Sequence, residues 1–244
     1  MIVALIPARG QSKRVPRKNL QKIGPSTLLE WSIASASIVE AIDRIYISSE
    51  DDEILNVARM YDQDNFYNRV IPMRRRKHAA TDDATDRDVI VDFLNRGVDE
   101  GDISLVVYLR PTTPFRRVED IGEAIQKMIA VPEATGLRSV HEMSESAYKC
   151  MTIKAECLLK GIFAMADAVD GANLPNHFYP KTYHPNGVVD IIRPKIVRTG
   201  ALFGENVMAH ITEPTIEIDT LHDLKIAEFE YATRRKEERI VFKP

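Results

Sequence analysis

Continuous apolar runs and helically spaced apolar residues alternate along this chain. Ile2–Ile6 is an unbroken apolar run, the pattern of a strand covered on both faces of a parallel sheet. Residues 8–25 are polar, are interrupted by Pro16, Gly24 and Pro25, and read as a long loop. Leu29, Ile33 and Ala36 recur at helical spacing and predict a helix over 27–40. Arg44–Ser48 predicts a second strand. Ser49-Glu50-Asp51-Asp52 then offers a helix start, with Ile54, Leu55 and Ala58 as its buried stripe. A further strand is predicted at Ser104–Leu109. In the helix after it, Ile121, Ala124, Ile125, Met128 and Ile129 stand at i, i+3, i+4, i+7 and i+8. This β-loop-α-β-α order predicts an α/β fold with right-handed crossovers, its mostly parallel sheet flanked by helices.

Between about 140 and 190 the pattern changes. Aromatic residues, Cys150, Cys157 and the turn-rich run from Leu174 to Gly187 suggest a small insertion, residues 140–190, within a main domain made of 1–139 and 191–244. Val188–Ile192 reads as a returning strand. A last helix starts at Leu221, with Leu224, Ala227 and Tyr231 inward and Thr220 and Asp223 as a capping box. The alternating charges of Arg234–Arg239 read as a solvated helix end.

The formal net charge is -3, so no global attraction to nucleic acid or membrane is expected, and phosphate recognition must be local. Two cysteines at a spacing that fits no zinc motif point to a reduced, cytoplasmic setting. The first apolar run is too short for a signal peptide, and no stretch approaches the roughly 20 apolar residues of a membrane span. Against the near-neutral average stands one cluster. Arg9, Lys13, Arg14, Arg17 and Lys18 fall within ten positions, directly after the first strand, with Gly10 and Ser12 among them. In an open α/β sheet ligands bind at the carboxyl ends of strands, where this loop must lie. Cations and backbone N–H groups there suit a polyphosphate, although the loop is neither a Walker A nor a dinucleotide turn.

The run Ile6-Pro-Ala-Arg9-Gly10-Gln-Ser12-Lys-Arg-Val-Pro-Arg-Lys18-Asn19 resembles the I-P-A-R-G-G-S-K-x-x-P-x-K-N signature of the CMP-sialic acid synthetases, the N-acylneuraminate cytidylyltransferases. Gln11 replaces the second glycine. By this resemblance Ala8, Arg9, Gly10, Ser12, Lys18 and Asn19 bind the nucleotide. Arg75 through Asp82 matches the family's R-P-x-x-L-A-x-D, with Arg76 for Pro and Ala79 for Leu, which adds Arg75 and Asp82. Taken alone, Arg74–Lys77 reads equally as a solvated basic run. Arg110-Pro-Thr112-Thr-Pro-Phe-Arg116 resembles Q-P-T-S-P-L-R, and Tyr183–Asp190 resembles the segment Y-x-x-N-G-x-x-Y/D. These assign Arg110, Thr112, Tyr183 and Asn186 to the sugar, with Arg110 in place of Gln and able to pair with a carboxylate. On their own the two segments also read as a strand-ending turn and an Asn-Gly turn.

Glu217-Ile-Asp219-Thr-Leu-His-Asp-Leu resembles D-I-D-T-x-x-D-L, whose acidic pair binds Mg²⁺. In an extended segment Glu217 and Asp219 point the same way, although Asp219 and Thr220 also suit a helix start. The resemblance implies a Rossmann-like nucleotidyltransferase fold with a small dimerisation insertion, and Mg²⁺, with Mn²⁺ as an alternative, as cofactor. It also implies a homodimer that joins CTP to a nine-carbon α-keto acid sugar, giving CMP-sugar and pyrophosphate. Arg9, Lys18 and Asp219 would carry the chemistry. Legionaminate, pseudaminate or Kdo as the sugar, and a catalytically silent nucleotide-binding subunit, are the alternatives. The six histidines form no recognisable triad.

Overall fold

The computed structural model describes residues 1–65, 69–96, 103–163 and 169–233, so Arg234–Arg239 lies outside the described residues. In chain order the elements are β1 (Ile2–Pro7), β2 (Lys22–Ile23), β3 (Ser26–Thr27), α1 (Leu28–Ile38), β4 (Arg44–Ser49), α2 (Asp52–Asn65), β5 (Val70–Arg74) and α3 (Asp86–Leu94). Then come β6 (Leu105–Tyr108), α4 (Val118–Ala130), β7 (Gly136–Glu142), β8 (Met151–Ile153), β9 (Leu159–Gly161), β10 (Tyr183–Ile192), α5 (Pro194–Arg198), β11 (Val207–Ile211) and α6 (Leu221–Thr233).

Seven strands form one sheet in the order β11-β7-β10-β6-β1-β4-β5. β1 runs parallel to β4 and β6, β4 to β5, and β11 to β7, while β10 is antiparallel to both neighbours. The expected mostly parallel, helix-flanked sheet is therefore present. Side chains alternate across it. Ala4 and Ile6 join Leu29, Ile33, Ile45, Ile47, Ile125 and Val107 on one face. Val3 and Leu5 join Tyr46, Ile90, Phe93, Val106 and Tyr108 on the other. After β1 the chain builds outward to β4 and β5, then returns to place β6 on the other side of β1. The β1–β6 boundary is thus a switch point, and the loops leaving these two strands frame a crevice there.

α1 is fixed by a capping box, in which Thr27 Oγ1 accepts from Glu30 N and Glu30 accepts from Thr27 N. Along α4, Ile121, Ala124, Ile125 and Met128 are fully buried, as their spacing predicts, but Ile129 is exposed. Eight residues advance a helix by about 800°, which turns Ile129 some 80° off the stripe. β10 begins earlier than the predicted Val188–Ile192 and shifts register between Pro185 and Asp190. Asn186-Gly187 therefore lies in an irregularity inside a strand rather than in a turn before one. Gly187 has φ 65°, which costs glycine no steric strain. Residues 143–163 and 169–182 lie outside the sheet between β7 and β10, and the first stretch carries the β8–β9 hairpin.

α6 closes over a third apolar cluster of Ile23, Leu28, Trp31, Phe115, Ile218, Leu224 and Ala227. Trp31 Nε1 donates to Ile23 O at 3.1 Å, and its ring meets Phe115 and Tyr231 edge-on at 5.5 and 5.9 Å. This cluster draws the segment before α6 against the loop after β1.

Candidate active site

The loop after β1 is built by residues that cannot be exchanged freely. Gly10 N donates to Glu50 Oε1 at 2.7 Å, and a Cβ on Gly10 would stand 2.4 Å from Asp51 Oδ2. Arg17 adopts φ 52° and pairs with Asp51, at 2.5 Å to Oδ2, and with Glu53. The Arg17 hydrogen bond holds the Asp51 carboxyl below its ordinary value. Asp51 Oδ1 also accepts from Glu53 N and Ile54 N, so the same carboxylate caps α2. Asn19 is buried and donates to Arg9 O at 2.8 Å, tying the end of the loop to its beginning.

Of the remaining loop cations, Arg9 and Lys18 line a cleft of about 310 Å³. Arg9 and Lys13 contact the two oxygens of Asp82 at 3.0 and 2.7 Å. The Lys13 bond, then the charges of Lys13 and Arg9, hold the Asp82 carboxyl low. Lys18 Nζ donates to Asp219 Oδ1 at 3.0 Å and to Ile218 O at 2.9 Å, and Arg14 reaches the same Oδ1 at 3.3 Å. The amino-terminal cations and the carboxyl-terminal acidic pair thus share one site, although about 200 residues separate them. The local reason is Ile218. Its side chain is fully buried and its N–H donates to Thr112 O at 2.8 Å, so Glu217 and Asp219 on either side face the cleft.

The opposite wall is an ion network. Arg110 donates to Asp190 Oδ2 at 2.7 Å and to Asp86 Oδ2 at 2.6 Å, and its guanidinium lies 5.1 Å from the centre of the Tyr108 ring. Tyr108 Oη donates to Asp86 Oδ1 at 2.8 Å. Burial opposes the Arg110 charge, but Asp190 and Asp86 more than reverse this, and its pKa is raised. Burial also raises Asp190, and Arg110 offsets only part of the effect. Arg75 is buried and donates to Ser48 Oγ and Ser48 O at 3.0 and 2.6 Å, and burial lowers its pKa. Arg116 is also buried. It clamps Val188 O at 3.0 Å, Ser32 Oγ at 2.8 Å and Arg110 O, so it supports the wall from behind.

Of the residues expected at the site, Arg9, Ser12, Lys18, Asn19, Arg75, Asp82, Arg110, Thr112, Glu217 and Asp219 line this cleft. Four lie apart from its lining. Ala8 is buried beneath the loop, and Gly10 turns its N–H to Glu50. Tyr183 is exposed at the start of β10, opposite Glu142. Asn186 is buried, donates to Thr212 Oγ1 at 2.7 Å and accepts from Val188 N, so it holds the β10 irregularity together. Sequence reasoning passed over Asp86 and Tyr108, which also line the cleft.

Glu217 and Asp219 offer hard carboxylate oxygens to the cleft, a donor set that fits Mg²⁺. Lys18 and Arg14 both use Oδ1 of Asp219. Elsewhere, Asp120, Glu123 and His210 bring three ligand-type atoms within 4.8 Å of one another. There Lys127 Nζ sits 2.8 Å from His210 Nδ1, and an ammonium can only donate. The Nε2 that faces Asp120 at 3.8 Å is therefore the protonated nitrogen, a donor and not a ligand.

Residues 3–161 match the family model described as Cytidylyltransferase. The chain is 25% identical to post-translational flagellin modification protein B of Campylobacter coli, over 93% of this chain and 94% of that one. It is 29% identical to the CMP-N,N'-diacetyllegionaminic acid synthase of Legionella pneumophila over 64% of each chain. It is 24% identical to the N-acylneuraminate cytidylyltransferase of Escherichia coli over 93% of this chain, which spans 51% of that longer protein. Among solved structures, a CMP:2-keto-3-deoxy-manno-octonic acid synthetase complexed with CTP shares the fold, with a TM-score of 0.70 and 15% identity over 95% of this chain and 98% of that one. A 4-diphosphocytidyl-2C-methyl-D-erythritol synthase from Anaerococcus prevotii does so at 0.64 and 16%, over 96% of each.

Proposed function

The chain belongs to the cytidylyltransferase family of nucleotidyltransferase enzymes, and from that premise we propose that it activates a nonulosonic, sialic-acid-like sugar with CTP. The observation that carries this reading is the meeting of Lys18 with Asp219 at the switch point of the sheet, where loop cations and a carboxylate pair face one cleft. Relatives named for N-acylneuraminate, diacetyllegionaminate and pseudaminate support a nine-carbon α-keto acid as the acceptor.

In this reading the triphosphate lies along residues 9–18. Arg9 and Lys13 exchange Asp82 for phosphate oxygens, and Lys18 neutralises a further phosphate. Glu217 and Asp219 would hold a Mg²⁺, which would offset phosphate charge. The anomeric hydroxyl of the sugar attacks the α-phosphorus in line. The bond from the α-phosphorus to the bridging oxygen breaks, pyrophosphate leaves with the electron pair, and the hydroxyl proton passes to solvent. The protein's share is positioning and charge neutralisation. The 143–182 excursion exposes Ile153, Leu158, Ile162 and Phe178, each more than half accessible, which supports a homodimer formed through this segment. Cys150 and Cys157 are exposed free thiols, which supports a reduced, cytoplasmic setting. No helix of the described residues is long and apolar enough to cross a membrane.

Mass spectrometry of products from CTP, Mg²⁺ and a mixture of N-acetylneuraminic, diacetyllegionaminic and pseudaminic acids and Kdo tests the proposal. A CMP-sugar and pyrophosphate are expected. Intact CTP after prolonged incubation with all four would overturn it.

A further inference from the structure

Arg110 stands in the cleft wall with one N–H of each terminal nitrogen already engaged, at 2.7 Å with Asp190 and 2.6 Å with Asp86. Asp190 is 1% exposed, and its Oδ1 already lacks a hydrogen-bond donor. If Arg110 turned to a ligand carboxylate, a buried carboxylate would lose its nearest ion partner and keep only Arg138, 3.7 Å from Oδ1. The cation is therefore committed to the fold. Its two carboxylates differ in what they can do. Asp190 is sealed, whereas the Asp86 side chain is 39% exposed and lines the cleft.

Asp86 is held on three sides. It opens α3 behind a Thr85 cap that is itself locked by Asp88. Tyr108 Oη donates to its Oδ1 and Arg110 to its Oδ2. Each carboxylate oxygen has about two acceptor directions, so one on each oxygen remains for a ligand. This acceptor cannot rotate away, and it repels phosphate, so the triphosphate stays at the cationic end and a neutral, donor-bearing group belongs here.

We propose that Asp86, fixed by Tyr108 and Arg110, is a specificity-determining residue of the sugar half of the cleft. It accepts hydrogen bonds from hydroxyl or acylamino N–H groups of the sugar, and Arg110 positions it. The inference rests on the cytidylyltransferase reading above. It predicts that the enzyme ranks acceptor sugars by the donor they present at Asp86.

The test is steady-state kinetics of wild type and Asp86→Asn with CTP and N-acetylneuraminic, diacetyllegionaminic and pseudaminic acids, with CTP affinity measured separately by calorimetry. Loss of a charge-assisted acceptor should raise the sugar KM roughly tenfold or more and change the ranking of the three sugars. CTP affinity should stay within about twofold of wild type. A thermal melt confirms that the variant is folded. Asp86→Glu, which keeps the charge, should recover part of the lost sugar affinity. An unchanged sugar KM and ranking in Asp86→Asn, or a CTP affinity that falls in step with sugar affinity, would overturn the proposal while leaving the cytidylyltransferase reading intact. Absence of pyrophosphate release by wild type with every sugar would overturn that reading, and the role of Asp86 with it.

Discussion

Replacing Arg110 with Met takes from the buried Asp190 carboxylate its nearest ion partner. Removing one member of a buried pair costs about 3–5 kcal/mol. The lower end applies here, because Arg138 Nε remains 3.7 Å from Asp190 Oδ1 and Asp86 can be rehydrated at the cleft. A loss of about 3 kcal/mol corresponds to a fall in Tm of roughly 6–12 °C for a chain of this size. Urea unfolding at several pH values is the informative assay. The folded-state pKa of Asp190 is raised, first by burial. Arg110 offsets part of that rise, so without it the pKa climbs further, and the cost is fully present only while Asp190 is ionised. It shrinks as the pH falls and the native state takes up a proton. The gap between wild type and Arg110→Met should therefore be wide at pH 8 and narrower at pH 5. Adding Asp190→Asn to Arg110→Met should restore most of the loss at pH 8. A deficit under about 1 kcal/mol, or one that widens towards acid, would refute the view of Arg110 as the counter-ion of a buried carboxylate.

Gly10→Ala forces a methyl group to within 2.4 Å of Asp51 Oδ2. It should cost about 1–3 kcal/mol in urea unfolding and raise the KM for CTP, because the loop must move. Ile218→Ala removes a fully buried anchor. It should cost about 2–5 kcal/mol and also raise the Mg²⁺ concentration needed for half-maximal rate, since Glu217 and Asp219 lose their aim. Arg17→Met breaks the bond that holds Asp51 low. The stability this pair adds, about 0.5–1 kcal/mol for partly exposed groups, is present above the ordinary value of 3.8 and is lost as the pH falls through the lower folded value. Urea midpoints of wild type and Arg17→Met should differ at pH 7 and converge towards pH 3.

The elements announced by the sequence are those whose pattern is decided by burial on a whole face. Ile2–Ile6 and the Ile121–Met128 stripe are such cases, and both are fully buried except for Ile2 at the strand's edge. β5, β7 and β11 were missed for separate reasons: Pro72 breaks the short apolar run of β5, Arg138, Ser139 and His141 interrupt β7, and along β11 the polar His210 is the buried residue while its apolar neighbours are half-buried or exposed. α3 was legible in principle, since Val89, Ile90, Phe93 and Leu94 follow helical spacing behind the Thr85 cap. The site shows the same division. Loop cations and the acidic pair stand in contiguous motifs, and the sheet order brings them together. Asp86 carries no such mark, because an acidic residue in a first helical turn reads as ordinary capping chemistry. Its part in the wall comes from Tyr108 on β6 and from Arg110, which Asp190 on β10 anchors, and that pairing arises only when β10 enters the sheet antiparallel beside β6. Asn186 shows the reverse case, a residue in a recognisable motif whose hydrogen bonds serve the strand irregularity.

The claim at the centre of this account is that residues 9–18 and 217–219 form one catalytic cleft. Pyrophosphate release from CTP and a nonulosonic acid, compared between wild type and Asp219→Ala across a Mg²⁺ titration, tests it most directly. A folded Asp219→Ala protein is expected, with a rate lower by about a hundredfold or more at every Mg²⁺ concentration. A near-native rate at saturating Mg²⁺ would contradict it.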